Sequence, residues 1–183
     1  MILIVGAGIA GLTLGLTLQQ IGQPFRIFER VAALRPLGVG INLQPNAVRE
    51  LIDLGLGEEL DRIGVRTRHY GFYTTSGRAI WVEPRGLAAG YAWPQYSIHR
   101  GALQMLLHRT LVARAGPECV ITGQRATGFD GATLHLDGAS VQGTLIVAAD
   151  GIHSAIRRQM YPAEGAPIWK GAILWRGTTR ARE

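Results

Sequence analysis

The chain is poor in residues that carry several kinds of chemistry. It holds a single cysteine, Cys119, among 183 residues. No disulfide framework can form within it, and a lone thiol without an obvious partner reads as a small buried residue rather than a catalyst. Lys170 is the single lysine. No apolar run approaches the roughly 20 residues that a bilayer-crossing helix needs, so no membrane span is expected. No basic segment precedes the apolar run at Ile2, so no secretory leader is expected and the expected location is the cytoplasm. His69, His108, His135 and His153 lack metal-ligand spacing, which excludes an expected metal site. Neither a Ser-His-Asp arrangement nor paired carboxylates stand out.

Apolar residues, by contrast, make up 47% of the chain and charged ones only 17%. That composition belongs to a folded chain with one good core and room for a second, smaller lobe. The net charge of +6 and the isoelectric point near 10.2 raise the question of nucleic acid. The arginines, however, are scattered, in groups no tighter than pairs such as Arg66/Arg68 and Arg157/Arg158. There is no basic helix face and no aromatic-interleaved stripe, so no nucleic-acid partner is expected. The charge reads as a solvated surface, part of it serving an anionic cofactor.

The strongest signal is at the amino end. Ile2-Leu3-Ile4-Val5 is an apolar run leading into Gly6-Ala7-Gly8-Ile9-Ala10-Gly11. A second apolar run, Phe25 to Phe28, ends at Glu29. Strand, glycine turn, helix, strand and acid make a βαβ unit of the kind that holds a dinucleotide. Gly6 permits the sharp turn off the strand. Gly8 lets a pyrophosphate approach the backbone, and Gly11 lets the helix pack against the strand. Glu29 is placed to accept from ribose hydroxyls, and its charge repels a 2′-phosphate there. The competing reading is a tight turn with no ligand.

Further along, Arg30 to Gly40 reads as a glycine-bearing loop. A helix is expected from Pro45, with Val48, Leu51, Ile52 and Leu56 on one face, ending at Gly55 and Gly57. Residues 66–82 alternate around Ser76-Gly77 and predict a β-hairpin. Its aromatics Tyr70, Phe72, Tyr73 and Trp81 either line a substrate cavity or pack in a core. Arg100 to Ala115 predicts a helix with Leu103, Leu106, Leu107 and Leu111 on one face. Short strands are expected near 119–122, 125–130 and 132–136, and a final strand near 171–178. The run Thr144 to Ala149, apolar after its first residue, predicts a strand buried on both faces. It runs into Asp150-Gly151, where Asp150, Ser154 and Arg157 gather at a helix entrance. There the acid or the hydroxyl is an N-terminal cap or part of a ligand crevice.

Gly6 to Gly11, Glu29-Arg30 and Ala148 to Arg157 together resemble the single-component, FAD-dependent aromatic hydroxylases, the para-hydroxybenzoate and salicylate hydroxylase class. Arg35 to Pro45, Pro94 to Gly101 and Leu174 to Gly177 bring the likeness closest to the flavin monooxygenases of phenazine (pyocyanin) biosynthesis. The resemblance implies an α/β fold: a Rossmann-like FAD/NAD(P)-binding domain with a parallel sheet, an antiparallel hairpin and the start of a substrate domain. The domains would be 1–165 and 166–183. It implies FAD as cofactor, NADH or NADPH as donor, a small aromatic or phenazine-like substrate, and oxygen transfer through a flavin hydroperoxide. Gly6, Gly8, Ala10 and Gly11 would hold the diphosphate and Glu29 the adenosine ribose. Arg30 and the Val39-Gly40 loop would border the adenosine and isoalloxazine ends. Arg100 would reach toward the diphosphate, Ala126 would meet adenine through its backbone, and Asp150 belongs to a motif linked to FAD and reduced nicotinamide. His99 caps or packs. Trp175 and Arg176 are further candidates to face the substrate.

Members of that class are about twice this length. An expected consequence is a chain that works with a missing carboxyl half or as a homodimer. The alternative is a catalytically incompetent nucleotide-binding or dimerising module. A dehydrogenase using the same βαβ fingerprint is disfavoured, because no tyrosine stands four residues before Lys170.

Overall fold

The all-apolar run Ile2–Val5 forms strand β1, and positive φ at Gly6 (+101°) turns the chain off it into helix α1 (Ile9–Gln20). The computed structural model describes residues 1–173. Strand β2 (Phe25–Phe28) returns beside β1, and a loop leads to β3 (Gly40–Leu43). Helix α2 (Pro45–Asp53) takes proline at its first position, where a missing N–H costs nothing. Helix α3 (Gly57–Ile63) follows, then strands β4 (Gly64–Thr67), β5 (His69–Tyr73) and β6 (Ala79–Pro84). A 3-10 turn at Gly86–Ala89 precedes β7 (Gln95–His99) and helix α4 (Arg100–Ala115). Strands β8 (Val120–Ile121), β9 (Ala126–Asp130), β10 (Thr133–Leu136), β11 (Ala139–Gln142) and β12 (Leu145–Ala148) lead to helix α5 (Ala155–Met160).

The described residues divide into two compact units, 1–36 with 104–173, and 37–103. The expected division near 165 falls inside the first of these. That first unit is built on a parallel sheet of order β12-β1-β2-β8, with Val5 opposite both Phe28 and Ala148. Alternation along β1 sends its side chains to two cores. Leu3 and Val5 join Phe28, Ala126, Leu134, Leu136 and Ile156 on one face. Ile4, Ile27, Leu12 and Leu16 are fully buried as well. Gly15 of α1 lies so close to Ile27 and Leu111 that an added Cβ would sit 3.0 Å and 2.9 Å from them. The antiparallel sheet β11-β10-β9 belongs to the same unit.

In the second unit β7 pairs antiparallel with both β3 and β4. Strands β5 and β6 form a separate two-stranded hairpin.

Several expectations need correction. The hairpin starts at His69, because residues 64–67 pair instead with β7. Its aromatics are not core: Tyr70, Phe72, Tyr73 and Trp81 are 39%, 51%, 58% and 47% exposed. A two-stranded ribbon has no second layer to bury them. Strand β12 is partly exposed rather than buried on both faces, since it has β1 as its one strand neighbour among the described residues. Gly57 opens helix α3 instead of closing α2; the stop is Gly55, at φ +76°. Strands β3 and β11 were not expected. The expected final strand, 171–178, and the candidates Trp175 and Arg176 lie wholly or largely outside the described residues. Among the described residues no helix is long and apolar enough to cross a membrane.

Candidate functional site

Three glycines shape the turn after β1. A Cβ on Gly6 would lie 2.5 Å from the Ala149 carbonyl oxygen, and one on Gly11 would lie 2.0 Å from the Gly6 carbonyl oxygen. Neither place admits a side chain. Gly8 differs, since a Cβ there would meet nothing within 4 Å. Gly8 is also the N-cap of α1 and offers no capping side chain. Open space therefore stands before an uncapped helix start, with Ala10 and Gly11 in the first turn. The positive end of the helix dipole favours an anion there.

Two side chains brace this turn. Glu29, one residue past β2, accepts from the Ala7 N–H at 2.8 Å through Oε2 and from the Val31 N–H at 3.0 Å through Oε1. Gln104 on α4 is buried and donates to the Ala7 carbonyl at 2.8 Å. Ala7 is itself fully buried. Its peptide groups are thus fixed from both sides by side chains far away in sequence.

Gly6, Glu29, Arg30, Ala126 and Asp150 line one cleft of about 80 Å³, together with Gln124, Arg125 and His153. Five of the residues expected from sequence meet there, and Gly8, Ala10 and Gly11 follow directly at the helix start. Asp150 accepts from the Ala155 N–H at 2.9 Å through Oδ2, while its Oδ1 is buried without a partner. Ser154 caps α5, its Oγ accepting from the Arg157 N–H at 2.8 Å. The Arg157 guanidinium turns to Glu164 and to the Ile152 carbonyl. The expected acid–hydroxyl–cation cluster therefore resolves into two caps and a separate ion pair, with one carboxylate oxygen left over.

Val39, Gly40 and Arg100 belong to the second unit. The Arg100 N–H donates to the Val39 carbonyl at 2.9 Å, and Gly40 pairs with His99. Gly38 (φ +117°) would place a Cβ 3.4 Å from Arg100 Cβ. His99 is a cap: its Nδ1 accepts from the Ala102 N–H at 3.2 Å. In the same unit Tyr96 Oη donates to Asp61 at 2.6 Å, and Arg66 makes two 2.7 Å bonds to the same carboxylate. The Arg66 and Tyr96 bonds hold the Asp61 carboxyl below the usual range. Burial, followed by the bond to Asp61, pushes the Tyr96 phenol up. Burial also raises the Cys119 thiol, the direction of an inert cysteine.

Sequence reasoning missed Gln104, Gln124, Arg125 and His153. The one available signal was Gln104 itself, a polar residue set inside the leucine face of α4. Among the described residues no group of three or more His, Cys, Asp or Glu is placed to hold a metal ion.

A family model described as FAD binding domain matches residues 1–166. The phenazine 1,6-dicarboxylic acid hydroxylase PhzS of Lysobacter antibioticus is 42% identical over 100% of this chain, which spans 48% of that relative. The solved structure of 2-methyl-3-hydroxypyridine-5-carboxylic acid oxygenase superposes with a TM-score of 0.75 at 27% identity, covering 87% of this chain and 41% of its own. Klebsiella pneumoniae HpxO, solved with FAD and uric acid, gives 0.68 at 29% identity over 87% of this chain and 41% of its own. The chain thus spans about half the length of these proteins.

Proposed function

The chain belongs to the FAD binding domain family, and on that premise we propose that it is the flavin-holding portion of an NAD(P)H-dependent monooxygenase that hydroxylates a small aromatic ring. The observation that carries the reading is the uncapped start of α1 behind an open Gly8, beside a cleft that holds Glu29 and the unpartnered Asp150 Oδ1. An anion fits the first feature and a hydroxyl-bearing ribose the second.

On this reading Gly6, Gly8, Ala10 and Gly11 hold the diphosphate with backbone N–H groups. Glu29 keeps its bonds to Ala7 and Val31 and uses its remaining lone pairs on the adenosine ribose. Arg30 and the Ala126 backbone border adenine, and Asp150 Oδ1 takes a hydroxyl or N–H donor from the cofactor. Val39, Gly40 and Arg100 are the remaining cofactor candidates, Val39 and Gly40 for the flavin end and Arg100 for the diphosphate. FAD, when bound, would supply two-electron redox chemistry, with NADH or NADPH as the donor and one atom of O₂ going to an electron-rich ring while the other leaves as water. The chain supplies position, charge complementarity and exclusion of water. The working location is the cytoplasm, and the functional unit includes a further carboxyl half or a second copy. The exposed hairpin aromatics favour one second reading, a nucleotide-binding or dimerising module without turnover.

The test is a visible absorption spectrum and an FAD titration of the purified chain, with Gly8→Glu beside it. The expected result is saturable flavin binding that Gly8→Glu abolishes, by filling the open approach and adding repulsive charge. Stoichiometric FAD retained by Gly8→Glu would sink the site assignment. Oxidation of NADH or NADPH stimulated by a phenol or phenazine separates an enzyme from a binding module.

A further inference from the structure

Helix α5 is six residues long, too short to hold its own conformation in water. Its placement therefore depends on what ties it to the strands beside it. Ile156 is one tie, buried in the core with Ala126, Leu134 and Leu136. Gln159 is a second. This residue is exposed, yet its carboxamide grips one residue of β9 twice. The Phe129 N–H donates to Oε1 at 2.9 Å, and Nε2 donates to the Phe129 carbonyl at 2.6 Å. Strand β9 is an edge of its sheet among the described residues. The Gln159 amide thus does for Phe129 what a residue of a neighbouring antiparallel strand would do, exchanging both backbone bonds. Gly128 leaves room for the grip. Its backbone is outside the left-handed region, so conformation does not demand glycine there. A Cβ at Gly128, however, would lie 2.8 Å from Gln159 Oε1 and would meet no other residue within 4 Å.

Both sides of this clamp lead to the nucleotide cleft. Strand β9 begins at Ala126 and helix α5 at Ala155, and both residues line the cleft. The Ala155 N–H holds Asp150 Oδ2 at 2.9 Å, and so orients the carboxyl whose Oδ1 is buried without a partner. A shift of α5 against β9 moves Ala155, turns Asp150 and changes its separation from Ala126. Gln159 itself does not line the cleft.

We propose that Gln159 is a positioning residue for the adenosine end of the cofactor: with Gly128 it sets the spacing of Ala126 and Asp150 across the cleft. The inference rests on the flavin-holding reading of that cleft.

The test titrates the purified chain with FAD and with ADP, which carries the adenosine end without the flavin. The variants are Gln159→Ala, Gly128→Ala and the two combined. Each single change should weaken FAD and ADP by the same factor, about fivefold. The thermal midpoint should stay within about 2 °C of the parent, since the substitutions alter one exposed side-chain contact. The double variant should bind ADP no more weakly than Gln159→Ala, because the added methyl then has no carboxamide to displace. Gln159→Glu keeps an acceptor for the Phe129 N–H but opposes the Phe129 carbonyl, and its loss should fall between those of the parent and Gln159→Ala. Gly128→Ala keeps the whole of Gln159 and carries the test by itself should Gln159→Ala not fold. Full ADP affinity in the folded single variants, a larger loss for FAD than for ADP, or additive losses in the double variant would each overturn the proposal. A parent chain that binds neither FAD nor ADP refutes the flavin-holding reading and this inference with it; a parent that binds both, beside variants that bind equally well, refutes the role of Gln159 alone.

Discussion

Glu29→Ala should destabilise the first unit before any cofactor is added. Its carboxylate ties the Ala7 N–H at 2.8 Å and the Val31 N–H at 3.0 Å. A hydrogen bond to a charged acceptor contributes about 1.5–3 kcal/mol when it is shielded, and much less where water can replace it. The Val31 bond is exposed and counts for little. The Ala7 bond is part-buried, and Ala7 itself is fully buried. Removal of Glu29 leaves that N–H to whatever water enters the cleft. The expected loss is therefore about 2 kcal/mol, most of it at Ala7. For a chain of this size it corresponds to a fall in Tm of about 4–8 °C. Glu29→Gln should lose about 1 kcal/mol, because its carboxamide oxygen keeps one bond while its NH₂ opposes the other N–H. The assay is urea unfolding without flavin, read as the midpoint at constant m-value. An unchanged midpoint in Glu29→Ala would refute the anchoring role and leave Glu29 as a ligand contact alone. A lowered midpoint with unaltered FAD affinity would refute the ribose role instead.

The two neighbouring glycines should separate folding from binding. Gly11→Ala forces a Cβ to 2.0 Å from the Gly6 carbonyl oxygen and should cost about 3 kcal/mol or more, seen in the same urea curve. Gly8→Ala meets open space and should unfold like the parent while binding FAD at least tenfold more weakly; a destabilised Gly8→Ala would contradict the geometry. In the second unit, the depressed Asp61 carboxyl supplies stability that is present above its unfolded value of about 4 and lost as pH falls through the folded one. Acid unfolding followed by circular dichroism should show that loss in the parent and a flatter curve in Asp61→Asn; identical curves would dissociate the network from stability. Phe72→Ser and Trp81→Ser replace half-exposed hairpin aromatics that stack on each other across the strands, so each should cost no more than about 1 kcal/mol. Sedimentation velocity should show less self-association in both, and unfolding of either would mean the ribbon is held by those rings.

What could be read from the sequence was chemistry that is local in the chain. Gly6 must be glycine because its φ is +101° and a Cβ would strike Ala149, and a glycine after an apolar run advertises such a turn. Strands β3 and β11 escaped notice because four residues carry too little alternation, and what makes them strands is pairing with β7 and β10. The apolar run of β12 promised double burial, but burial is a property of neighbours, and on one edge there is none among the described residues. Gln104 shows the same limit at the site: its partner, the Ala7 carbonyl, is 97 residues away. Asp150 is the instructive case. Cap and ligand group were alternatives in the sequence, yet a carboxylate has two oxygens. One caps Ala155 and the other is buried without a partner. The cap orients the carboxyl, and so fixes where the free oxygen points. A structural role and a binding role are then the same geometry, and Asp150→Asn is expected to keep the cap while weakening FAD; retention of full FAD affinity in that variant would reduce Asp150 to a cap.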